Sequence, residues 1–437
     1  MTAELHLVKT DAEAALAATF ASAKARLPGG RGVAASREAA FRRFEASGLP
    51  SRRVEEWKYT DLRALMRDAK PLADPPDATR GKPSLIDALP GVDAHRVAIV
   101  NGTYLPAWSD LAGADLGVTL TDLFAWVGDN LSAWQDLVAD ESDLATSLNQ
   151  AFMTGGVVVR IRKGARVAKP IHLAYAFCGE PAAMYPRTIV LVEPDAQATL
   201  IETFEGPAGS DYQVNAALTL SIGDGARVER IKIGLEGASA LHIETITAAI
   251  GARADYNELT FTTGSAVTRN QLFMRCSGDG TKVRVAGANL LKDRQHVDST
   301  LVIDHASRGC ESREIFKSVL DDESRGVFQG KIVVRPHAQK TDGRMMTQAL
   351  LLSDRAEADN KPELEIFADD VQCGHGATSG RLDENLLFYL RARGIPAKRA
   401  EALLIQAFVG EAIDGIAHEG LREMLTGRVT AWLETRG

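Results

Sequence analysis

Between about residue 155 and residue 380 the chain alternates apolar and polar side chains with a period of two. Val157, Val159 and Ile161 alternate with Val158, Arg160 and Arg162. Leu218, Leu220 and Ile222 alternate with Thr219 and Ser221, and Leu241 and Ile243 with His242 and Glu244. Further short apolar runs follow at Val283–Val285, Val297–Ile303, Ile332–Val334 and Leu364–Ile366. A period of two places one row of side chains inside a sheet and the next outside. One turn shape also recurs: Gly164-Ala165-Arg166-Val167, Asp195-Ala196-Gln197-Ala198, Gly225-Ala226-Arg227-Val228 and Gly251-Ala252-Arg253-Ala254. Ala165, Ala196, Ala226 and Ala252 stand 31, 30 and 26 residues apart. A turn returning at a nearly constant step, with short strands between, marks a solenoid. The step suits pairs of β-rungs stacked as a parallel β-helix. A large β-sandwich alternates as well and stays open as the competing architecture. A narrow solenoid interior should favour small aliphatic side chains. In keeping with that, Trp57, Trp108, Trp126, Trp134 and Trp432 all lie outside this segment.

The flanks have a different period. Residues 1–150 read as mainly helical. Thr10 and Glu13 have the spacing of a capping box, and the helix they open should end before Pro28. A second helix fits Ser36–Ala46, stopped by Gly48 and Pro50, and Thr60 is a candidate cap for the next. Residues 68–92 read as loop, and Val97–Val100 with Asn101-Gly102 as a strand and turn. From residue 383 to 437 the helical period returns. Leu386, Leu387 and Leu390 share a face before Gly394. Pro396 then suits a helix first turn, and Ala400, Leu403, Leu404, Ala407, Phe408 and Ala412 keep helical spacing. A last helix fits Leu421–Glu434. These faces either pack on each other or bind a partner. The expectation is a mainly β fold with helical ends: a helical unit at 1–150, a β-solenoid at 155–380 and a helical unit at 383–437.

Several function classes are excluded. Lys and Arg number 50 and Asp and Glu 58, a net charge of −8, so the basic surface that nucleic acid requires is missing. No apolar run is long enough to span a membrane, and Met1–Leu7 lacks the pattern of a secretory signal. Cys178, Cys276, Cys310 and Cys373 form no CxxC pair, and a reduced, cytoplasmic setting is expected. The first three sit singly in strand-like stretches and read as packing residues. There is no P-loop, GxSxG or HExxH. Gly374–Ser379 imitates GxGxxG but carries Ser379 at its last position. His337 reads as a turn residue.

One constellation carries chemistry: Asp369-Asp370-Val371-Gln372-Cys373-Gly374-His375-Gly376-Ala377-Thr378. On a strand, Val371, Cys373 and His375 point one way and Asp370, Gln372 and Gly374 the other. A thiolate and an imidazole together suit a soft metal or sulfur species, and an imidazolium would lower the thiol pKa. Two ligands do not hold a metal alone. Either another chain completes the site, or both residues belong to the core, where a Cys behaves as a small hydrophobe.

The stretch from Phe328 to Gly380 contains AQKTD, LLLS, PELEI and DDVxCxHGAT in that order. Together with GLPSRRVEEWKYTDLR near the N-terminus and LFYLRARGIPAKRAEALLIQAFVGEAID near the C-terminus, it resembles the SufB/SufD family of iron–sulfur cluster assembly scaffolds, most closely the SufD branch. The resemblance implies a right-handed parallel β-helix between helical ends and a scaffold rather than an enzyme. It implies SufB and the ATPase SufC as partners, with a homodimer left open, and neither nucleic acid nor membrane. SufC would dock on the C-terminal helices through Leu386, Leu390, Leu403, Leu404 and Phe408. His375, with Cys373 beside it, would face SufB, which completes the ligand set of a transient iron–sulfur cluster. No cofactor would be held stably by the chain alone, and flavin contact is left undefined. A β-helix carbohydrate-active enzyme, a thiol enzyme built on Cys373 and His375, and a SufB-type scaffold are the alternatives.

Overall fold

A computed structural model describes residues 9–79, 81–111, 117–139 and 143–436. The Met1–Leu7 stretch read for a signal lies outside the described residues.

The alternating segment folds as a parallel β-solenoid built from two ten-stranded sheets. Each turn contributes one strand to each sheet. Arg227–Gly234 therefore pairs in parallel with Gln197–Glu205 on one side and Asp255–Thr262 on the other. The recurring turn is one corner between the sheets. A residue with positive φ (Gly164, Asp195, Gly225 or Arg253) precedes each corner, and Ala196, Ala226 and Ala254 are buried there. The fourth copy is thus Arg253-Ala254, two residues later than the sequence shape suggests, because the left-handed residue and not the preceding glycine fixes the corner. Gly280-Thr281, Gly309-Cys310 and Lys340-Thr341 continue the series with the same positive φ.

The interior does not keep to small aliphatic residues. Tyr175 stacks on Phe204 with ring centroids 4.4 Å apart, and Phe177 on Tyr212 at 4.4 Å. Tyr175 and Phe204 are register partners on neighbouring strands, so large rings fit by stacking along the solenoid axis. Charged groups are accommodated too. Fully buried Arg230 donates from Nε to Glu202 Oε2 at 2.6 Å and from Nη1 to Glu258 Oε1 at 2.9 Å, and buried Lys232 pairs with Glu244 at 2.8 Å. Buried charges persist only when paired in this way.

Helices cover the outer faces. From the C-terminal side, Ile405, Val409, Leu421 and Leu425 pack on Ile231, Ile233 and Leu259 of one sheet. From the N-terminal side, Leu16, Phe20, Phe41 and Trp57 join Leu241 and Ile243 of the other. The first helix, Asp11–Ala23, has the Thr10/Glu13 capping box expected of it, and the second runs Gly30–Ser47. Thr60 does not cap a helix. Asp61 caps Leu62–Leu65, while the Thr60 hydroxyl donates to Asp298 and meets His296 Nε2 at 2.9 Å. The surrounding motif clips the N-terminal region to the solenoid. Arg269 lies 3.9 Å from the Trp57 ring centroid, donates to the Glu56 carbonyl at 2.6 Å and pairs with Asp298.

The two ends of the solenoid differ. At the N-terminal end the outermost strands, Thr103–Tyr104 and Val118–Asp122, are short and antiparallel to their neighbours. At the other end the sheets finish on two long edge strands, Glu357–Ile366 and Gln372–Gly380.

Candidate functional site at the open end of the solenoid

The chemistry-bearing motif lies on the outermost strand, Gln372–Gly380. Parallel pairing with Asp342–Leu351 sets Cys373 opposite Gly343 and His375 opposite Met345. Met345 belongs to the interior core, and Val371 and Cys373 pack against that core. All three residues therefore point to the inner side of the sheet, as alternation requires. Cys373 is half-buried. His375 is exposed because no further turn covers its strand. Gly376 permits the close approach of Met346, whose methyl a Cβ at that position would meet at 2.7 Å.

The Cys373 thiol is not activated. Burial pushes its pKa up, and the carboxylates of Asp342 and Glu314 push the same way against the Gly343 backbone. The lowered thiol pKa expected from a neighbouring imidazolium is absent, because burial outweighs the other influences on the sulfur. Among the described residues no three His, Cys, Asp or Glu side chains converge at metal-binding geometry.

Cys373 and His375 border a groove of about 740 Å³, walled by Arg284, Arg313 and Arg344 and by Glu411 of the helix Ala397–Ile413. The three arginines occupy one register position on successive strands. Sequence reading missed this row, since its members lie one turn of chain apart; knowing the turn length would have aligned them. Arg284 pairs with Asp255 and Arg313 with Asp342, so the wall is largely neutralised.

The C-terminal helices present a second surface. Glu384–Ala392, capped by Asp383, buries no residue. Leu386 is 52% exposed, and Phe388, which the sequence reading passed over, is 73% exposed. Leu390 is half-buried. In the next helix the face that docks on the solenoid is Ala400, Ile405, Val409, Ala412 and Ile413. Only Ala400 and Ala412 of the face expected from spacing are buried. Leu403 is exposed, and Leu404 and Phe408 are half-buried beside Leu386 along a smaller cavity. The shift follows from having two apolar stripes on one helix, where spacing alone does not say which meets the sheet. The remaining cysteines also depart from isolated packing. Cys178 is half-buried, but Cys276 and Cys310 face each other inside the solenoid. His337 accepts the role of a turn residue, with Nε2 2.7 Å from the Ala306 carbonyl.

A parallel β-solenoid with helices on its outer faces, ending in two long edge strands of which one carries Cys373 and His375, is the class of protein that the fold defines. The family comparisons agree with that class. Residues 176–408 match the SufBD core domain of the SUF system for FeS cluster assembly, and residues 17–173 match the SufBD protein N-terminal region. The iron–sulfur cluster assembly protein SufD of Escherichia coli (strain K12) is 33% identical over 88% of this chain and 89% of its own length. An iron–sulfur cluster assembly SufBD family protein of Synechocystis sp. is 31% identical over 86% of each chain. A chloroplastic protein of Arabidopsis thaliana, ABCI7, is 27% identical over 88% of this chain and 82% of its own. The chain belongs to the SufBD family of iron–sulfur cluster assembly proteins. Among the described residues no helix is long and apolar enough to cross a membrane.

Proposed function

We propose that this protein is a non-enzymatic scaffold subunit of cytoplasmic SUF iron–sulfur cluster assembly. In this reading it pairs with SufB through the open end of its solenoid and docks SufC on its C-terminal helices. His375 supplies a ligand to the nascent cluster, and SufB supplies the rest. The observation that carries the reading is the pair of uncovered edge strands, Glu357–Ile366 and Gln372–Gly380. A long exposed edge offers a row of unpaired N–H and C=O groups that a second chain can extend. Ile366 and Phe367, 42% and 59% exposed, give the same end an apolar contact. The two-residue ligand set supports a shared site, because soft metal sites want more donors than Cys373 and His375 provide. The raised Cys373 pKa favours His375 as the principal contributor. The exposed Leu386, Phe388 and Leu403 support a docked partner on the helices. The cluster is cargo, and no resident cofactor is assigned.

The test is co-expression with SufB and SufC, purification of the complex, and iron and sulfide analysis with and without His375→Ala. The substitution should leave the complex intact and abolish most of its cluster content. Unchanged cluster content would remove His375 from the reaction. Purification as a homodimer that excludes SufB would assign the open end to a second copy of this chain.

A further inference from the structure

Inside the solenoid, at the corner that opens the strand two rungs in from the exposed one, two thiols and an imidazole converge. Cys276 ends the strand Val267–Cys276, and its register partner on the next turn is His305. Cys310 occupies the corner position filled by Ala196, Ala226 and Ala254 in earlier turns, directly after the positive-φ Gly309. Both thiols are fully buried, and they interact side chain to side chain. Cys310 Sγ also lies 3.4 Å from the Gly278 carbonyl. His305 Nε2 meets Ser312 Oγ at 3.0 Å, while its Nδ1 is buried without a partner beside Cys310.

Ala196, Ala226 and Ala254 fill this corner in earlier turns and Thr281 and Thr341 fill it in the two flanking ones, so packing does not require sulfur here. The pair is also asymmetric. Contact with Cys276 and then with His305 pulls Cys310 below the ordinary thiol range, whereas its hydrogen bond to Cys310 pushes Cys276 up. Cys310 is thus the more acidic sulfur and Cys276 the less acidic, which is the arrangement of a reactive dithiol. Among the described residues the two thiols and the imidazole do not reach metal-binding geometry.

We propose that Cys276 and Cys310 are a redox-active dithiol that a hydroperoxide converts to a reversible intramolecular disulfide. The Cys310 thiolate attacks the terminal peroxide oxygen. The O–O bond breaks, the departing alkoxide or hydroxide takes a proton, and Cys310 becomes a sulfenic acid. The Cys276 sulfur then attacks the Cys310 sulfur. The S–S bond forms, the S–O bond breaks, and water leaves with the Cys276 proton. Two thiols lose two electrons to one hydroperoxide, giving a disulfide, one alcohol or water from the peroxide, and one water. In this proposal the peroxide enters at the turn before Cys310, where Arg308 is exposed.

The test treats the full-length protein with stoichiometric hydrogen peroxide, alkylates the remaining thiols after denaturation, and maps peptides without reduction. The expected product joins Cys276 to Cys310, leaves Cys178 and Cys373 alkylated, and reverts with dithiothreitol. Cys276→Ser should leave Cys310 trapped as a sulfenic acid that dimedone labels. Cys310→Ser should slow loss of the Cys276 thiol by about tenfold or more, because the thiolate is the reactive form. Preferential oxidation of Cys178 or Cys373, with Cys276 and Cys310 still alkylatable, overturns the proposal. The wild-type peptide map decides the question even where a variant fails to fold.

Discussion

Replacing Arg230 by Met should strip the solenoid interior of its central cation. Arg230 contacts Glu202 at 2.6 Å, Glu258 at 2.9 Å and Glu244 at 3.2 Å, and it is fully buried. Glu244 keeps Lys232 at 2.8 Å, but Glu202 and Glu258 lose the guanidinium that faces them. Removing one partner of a buried ion pair costs about 3–5 kcal/mol, because the remaining charge is left in a medium that solvates it poorly. The pH dependence gives a sharper readout. Burial already pushes Glu202 from 4.5 up to about 7 against the pull of Arg230. A carboxyl whose folded pKa lies above its unfolded value binds more protons in the folded state. Its contribution is therefore full below the unfolded value and is lost as pH rises through the folded one. At 1.36 kcal/mol per pH unit, that loss is about 3 kcal/mol in the wild type. In Arg230→Met the pull of Arg230 on Glu202 is gone and its carboxyl is pushed further up, so the deficit relative to wild type must grow from pH 5 to pH 8. Urea unfolding at the two pH values, followed by circular dichroism, measures it. Equal midpoints at both, or a deficit that shrinks as pH rises, would refute the assignment of Arg230 as the counter-ion of these carboxylates.

Other sites give independent checks. Glu314 is buried with neither carboxylate oxygen partnered, and burial pushes it up to about 8. The wild type should therefore lose stability between about pH 5 and pH 8, and Glu314→Gln should flatten that slope in thermal melts. Gly156 has φ +154°, and a Cβ there would overlap the Arg187 carbonyl. Gly156→Ala should cost about 3 kcal/mol or more, seen as a lower urea midpoint. Leu386→Asp with Phe388→Asp should abolish co-purification with SufC while the melting temperature stays at the wild-type value, since neither side chain is buried.

How far the sequence discloses the site depends on whether its members are local or a turn apart. Alternation along one strand was enough to place Val371, Cys373 and His375 on one side, because a strand fixes the side of each residue by itself. The Thr10/Glu13 cap was legible for the same reason. Residues about one turn apart meet only through the register between strands, and the register is set by the corner residues. The fourth corner shape was misaligned by two residues for want of the left-handed Arg253. An equal ignorance hid the Arg284, Arg313 and Arg344 row and the meeting of Cys276, His305 and Cys310. Apolar spacing likewise could not choose between the two stripes of Ala397–Ile413. That choice rests on the outward Ile231, Ile233 and Leu259 of the sheet beneath, which take Ile405 and Val409 and leave Leu403 outside. The exposure of His375 has a further cause. Met345, one strand earlier, occupies the equivalent position and is buried. The two side chains differ in environment only because another strand lies beyond Met345 and none lies beyond His375. The motif is left uncovered where the stacking stops, and a strand laid on that edge would bury His375 as Met345 is buried.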